Sequence, residues 1–115
     1  MGNKFEFSPE VAAFRAELVG NLKIDRASAE SKRLLAEWAA EGEKLVQAGQ
    51  LDQFAWNKEE AEVYFEADAE EAGLWVLKGA LFEAIHQERA EEISYFAERL
   101  RELGADPDDL SEFEG

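Results

Sequence analysis

Apolar positions recur along this chain at helical spacing, and residues 49–56 alone leave room for a very short strand, for which the sequence offers no partner. Ser8-Pro9-Glu10 is a helix start: a hydroxyl to cap, a proline for the first turn and an acid for the positive helix end. Val11, Phe14 and Leu18 then share a face and Gly20 reads as a stop, which predicts a helix over about 9–19. Asp25 or Ser28 can cap a second helix over about 27–48, striped by Leu34, Leu35, Trp38, Leu45 and Val46 and closed by Gly49. Arg33, Glu37 and Lys44 fall off that stripe, on its wet side.

Residues 49–56 read as a connection whose Leu51, Phe54 and Trp56 tuck against the helices. Asn57 with Glu60 forms a capping-box pattern, after which helical composition runs to Leu103 and stops at Gly104. An unbroken helix of that length would span roughly 69 Å, too long for one small domain. Gly73, with Gly79 behind it, is the expected break, giving helices over about 58–72 and 74–103. The expected fold is therefore an all-α bundle of three to four helices in a single domain, residues 1–115. Its tail, residues 104–115, is acidic, and is expected either to be loosely ordered or to start one helical turn at Asp106-Pro107 carrying Leu110 and Phe113. Trp38, Phe54, Trp56, Phe65, Trp75, Phe82, Tyr95 and Phe96 are the expected aromatic core. The run Leu74–Leu77 followed by Leu81-Phe82 is apolar nearly all round, which places it centrally or at an interface such as a homodimer's.

Composition narrows the chemistry. The 115 residues are 46% hydrophobic, enough for one real core. There is no cysteine, which excludes disulfides, thiolate metal sites and thiol catalysis. A net charge of −15 speaks against a nucleic-acid backbone or an anionic membrane as partner. No stretch approaches 18 apolar residues, and the residues after Met1 hold no leader-like apolar run, so a soluble cytoplasmic protein is expected. Glycine-rich phosphate loops, nucleophile elbows and His-Glu-x-x-His are missing, and no serine has an activating context, so a non-enzyme is favoured.

The charge is uneven: residues 58–103 sum to −8 and residues 104–115 to −5. Glu59, Glu62, Glu66 and Glu70 would share one face of one helix, about 5 Å apart along the axis. Such a face either keeps the protein soluble or docks on a basic protein, a nuclease or DNA-binding protein for example, steered by its field. The second reading makes the chain a small acidic protein-binding module: an inhibitor, an immunity-type protein or a regulator.

One constellation points to a different class. Glu83-Ala84-Ile85-His86 places a carboxylate and an imidazole at i and i+3, and both can reach one metal. They fall on a 3-4-3-4 line with Val76, Gly79, Ala90, Ile93, Ala97 and Leu100, while Glu41 continues the Leu34, Trp38, Leu45 stripe. This spacing is similar to the Glu-x-x-His element of ferritin-like carboxylate di-iron proteins. The resemblance covers those four residues and implies iron held by Glu41, Glu83 and His86 as a half-site that a symmetric dimer would complete. The plainer reading is a half-buried His86 bonded to Glu83 or to a carbonyl.

Overall fold

The computed structural model describes residues 8–110 and 113. The first seven residues, and Ser111, Glu112, Glu114 and Gly115 of the expected acidic tail, lie outside the described residues. Five α-helices make up the described chain: α1 (Pro9–Asp25), α2 (Ala29–Gln47), α3 (Gln53–Glu66), α4 (Glu70–His86) and α5 (Ala90–Glu102). The all-helical expectation holds, with five helices in place of three to four. None of them is long and apolar enough to cross a membrane.

The expected caps at Ser8 and Ser28 form. Ser8 accepts a hydrogen bond from the Val11 N–H and Ser28 from that of Ser31. Gly20 does not stop α1, which runs on to Asp25. Ser31 is buried, and its hydroxyl lies 2.7 Å from the Asp25 carbonyl and 3.1 Å from that of Asn21, pinning the start of α2 to the end of α1. The third helix starts at Gln53 rather than 58, because Asp52 accepts from the Phe54 N–H at 3.0 Å. Asn57 is no cap: inside α3, its side chain accepts from Gln53.

The long helical tract does break, but at neither glycine. It turns at Asp68 (φ 62°) and again at Glu88 (φ 55°), both in the left-handed region. The geometry is the same each time. Ala69 N–H donates to the Tyr64 carbonyl at 2.8 Å while Asp68 N–H donates to Phe65, and Arg89 and Glu88 repeat this onto Ala84 and Ile85. These are Schellman closures, which α2 and α5 make with Gly49 and Gly104 at the same place. After each glycine-free closure the next helix begins at once. Glu70 and Glu71, then Glu91 and Glu92, lie at its positive end in place of a side-chain cap.

Two cores result, and α3 is their common wall. Phe54 and Ala61 face Leu77, Ala80, Leu81 and Ala84 of α4 with Phe96 and Leu100 of α5. Trp56 and Val63, on the opposite side of α3, face Leu18 and Leu22 of α1 with Leu34 and Trp38 of α2. Leu51, Phe54 and Trp56 are buried as expected, and the apolar run of α4 is largely consumed within the chain. Trp75 and Tyr95 depart from the expected core: they are 55% and 38% exposed.

Candidate functional site

The four acids expected on one face are divided by the turn at Asp68. Glu70 starts α4, and only Glu59, Glu62 and Glu66 share α3. Those three are not a bare anionic stripe, because cations from distant segments reach them. Arg15 of α1 forms a two-pronged bond with Glu66, at 2.9 and 2.6 Å, and its Nε lies 3.8 Å from Glu59. From α5, Arg99 lies 3.3 Å from Glu62 and 3.6 Å from Glu102. Lys58 lies 3.1 Å from Glu92 and 4.2 Å from the centre of the Tyr95 ring. Glu59 and Glu62 are half-buried, so reversing them would set lysines against Arg15 and Arg99.

Together Arg15, Lys58, Glu59, Glu62, Glu66 and Tyr95 line a surface groove of about 500 Å³. Five carboxylates (Glu59, Glu62, Glu66, Glu92 and Glu102) share three ion-paired cations there, with Lys23 acting on Glu66 as well, so carboxylate is still in excess. The Arg15 hydrogen bond holds the Glu66 carboxyl below its ordinary range. The Tyr95 phenol is pushed up, first by burial and then by the charge of Glu62, with Arg99 opposing. None of the cations was legible as part of this site. Local spacing shows partners on one helix, whereas Arg15 stands 51 residues from Glu66 and Arg99 37 from Glu62.

The residues of the metal reading do not come together. The line from Val76 to Leu100 is cut where α4 ends, and Glu83 and His86 are exposed rather than set in an apolar face. His86 Nδ1 lies 3.0 Å from the Phe82 carbonyl and its ring packs on Phe82 at 4.3 Å, while Glu83 accepts from Gln87. Glu41 is half-buried on α2, 3.9 Å from Lys44, in a separate groove beside Glu10, Phe14 and Glu37. No group of three His, Asp or Glu side chains among the described residues is placed to hold a metal.

A second groove, about 490 Å³, lies between α3 and α4, with Gln53, Asn57, Glu60, Trp75 and Glu83 on its walls. Burial pushes the Glu60 carboxyl above its ordinary pKa, and Glu60 in turn helps push up the Tyr64 phenol, where burial is the larger cause. A carboxyl whose folded pKa is raised subtracts stability while ionised, and protonation removes the penalty. Glu60→Gln is therefore expected to raise the melting temperature at neutral pH. The gain should shrink as pH falls through the raised pKa toward the ordinary carboxylate value. Thermal melts across that range check this, and an equal or larger gain at acid pH would contradict the burial argument.

Comparison with protein-family models, curated proteins and solved structures yields no match.

Proposed function

We propose that this chain is a non-enzymatic binding module that docks on a basic protein through the face built by α1, α3 and α5, in the manner of an inhibitor, immunity-type or regulatory protein. The observation that carries the reading is the excess of carboxylate over cation around a Tyr95 ring that is only partly covered. Outward on α5, Glu91, Tyr95, Glu98 and Glu102 recur every three to four residues and extend the charge along one side of that ring. Ion pairs to Arg15 and Arg99 hold several of the carboxylates in place before a partner arrives, which lowers the ordering cost of binding. Aromatic anchors ringed by charge suit a protein partner: the ring supplies buried area and the charge supplies encounter rate and selectivity.

The test uses residues outside the internal ion pairs. Immobilised wild-type protein, Glu91→Lys/Glu98→Lys and Tyr95→Ala are compared after circular dichroism has shown each to be folded. The wild type is expected to retain a basic protein that salt elutes. The double reversal should slow its association at low ionic strength by about tenfold or more. Tyr95→Ala should speed its release. Retention that ignores salt and both variants, or retention of neutral proteins only, would refute the reading.

A further inference from the structure

Two sides of α3 lie outside the two cores, and they carry different chemistry. Glu59, Glu62 and Glu66 look out on one, where Arg15 and Arg99 meet them. Gln53, Asn57 and Glu60, at i, i+4 and i+7, look out on the opposite one, over the groove of about 490 Å³ against α4. Trp75, Gly79 and Glu83, four residues apart, form the facing wall, with Val76 and Ala80 between the walls. The Phe113 ring packs beside Trp75, 5.4 Å between centres, yet Trp75 stays 55% exposed.

No lysine or arginine lines this groove. The cations nearest to it in the chain are engaged or turned away. Lys58 pairs with Glu92 and Tyr95 on the far side of α3, and the Arg89 guanidinium lies over the Phe54 ring. Arg26 acts on Tyr64 rather than on Glu60. Lys78 shares the other flank of α4 with Glu71 and Ile85, seven residues to either side of it. Glu60 is half-buried, with neither a hydrogen bond nor an ion pair among the described residues, and burial pushes its carboxyl up. Glu83 accepts from Gln87 at 3.0 Å, which leaves most of its acceptor capacity open. The approach of Gly73 to Phe65 sets the register of the two antiparallel helices, so Glu83 stands about five residues, roughly 8 Å, from Glu60 along the groove.

Each of these features selects for the same ligand. Two carboxylates at two levels call for two positive charges. The small side chains at Gly79 and Ala80 leave an apolar floor that suits methylene groups. An exposed indole beside a carboxylate attracts an ammonium over its face. We infer that the α3/α4 groove binds a free linear aliphatic polyamine, with one ammonium at Glu60 beside Trp75, a second at Glu83, and the methylene chain over Gly79 and Ala80. The first ammonium would also relieve the burial of Glu60, which no cation of the chain does.

The experiment titrates spermidine into the full chain at about 0.15 M salt, where diffuse attraction to the net charge is screened. Calorimetry and tryptophan fluorescence follow it. One equivalent per chain is expected to bind, with a change in emission that Trp75→Phe removes, since Trp38 and Trp56 are only 2% and 4% exposed. Glu60→Gln and Glu83→Gln, with helical circular dichroism retained, should each weaken binding by about tenfold or more. Glu17→Gln/Glu43→Gln, which removes twice that charge from exposed positions on α1 and α2, should leave it unchanged. Butylamine, with a single ammonium, should bind more weakly by a similar factor. Absence of spermidine binding at this salt, or equal weakening by the α1/α2 variant and the groove variants, would overturn the site. Butylamine binding as tightly as spermidine would overturn the pairing of two ammoniums with two carboxylates.

Discussion

Gly42→Ala is expected to destabilise the protein by about 3 kcal/mol, the upper part of the usual range for overpacking a core. Inside a helix this substitution ordinarily stabilises, by roughly 0.5–1 kcal/mol, because glycine gives up more backbone freedom on folding. Here the space is taken. A Cβ on Gly42 would lie 2.0–2.5 Å from the six-membered ring of Trp56. Trp56 has little room to retreat: it is 4% exposed, its ring centre is 4.9 Å from that of Trp38, and Trp38 is itself buried and stacked with Phe14 at 6.2 Å. Gly20→Ala is the matched control. It too changes a glycine inside a helix, but nothing lies within 4 Å of the added carbon, so a gain of roughly 0.5–1 kcal/mol is expected. Chemical denaturation at constant slope measures both. If the two variants shift the midpoint in the same direction, the seat of Trp56 on Gly42 is wrong.

The same contrast explains what could be read from the sequence. Ser8 and Ser28 announced two helix starts because capping chemistry is local and specific to residue type. Glycine was the harder signal, since it marks a chain reversal and a close approach equally well. Gly49 and Gly104 are reversals, with positive φ. Gly73 is an approach, since a Cβ there would come within 2.5 Å of the Phe65 ring, and Gly42 and Gly79 are approaches too. The two true breaks in the long helical tract carry Asp68 and Glu88 in the left-handed conformation, and neither announces itself. For glutamate that conformation is uncommon, and it persists where the closing hydrogen bonds and the packing of the flanking helices determine it. The acidic face failed for a related reason. Periodicity finds which carboxylates share a helix face, but the cations that quench part of their charge arrive from α1 and α5. That pairing is a property of the packed fold. The spacing of Glu83 and His86 was visible as well; their exposure and their distance from Glu41's groove were not.

Phe54→Ala is expected to cost about 3–5 kcal/mol, a large part of the roughly 5–15 kcal/mol that holds a domain folded. Phe54 is 1% exposed, its ring centre is 6.2 Å from that of Phe96, and the Arg89 guanidinium lies over it at 5.1 Å. Truncation would open a cavity between the first turn of α3 and α5, bounded by side chains that cannot all close in. The consequence should extend beyond that core. Phe54 and Ala61 serve the α4/α5 side of α3, while Trp56 and Val63, two residues on in each case, serve the α1/α2 side. Loosening α3 on one side therefore removes a wall from the other. A single unfolding transition is expected in Phe54→Ala, as in the wild type. Amide hydrogen exchange should show α1 and α2 losing protection together with α4 and α5. Retained protection of α1 and α2 in the variant, or a second transition on heating, would mean that the two cores unfold separately and that α3 does not couple them.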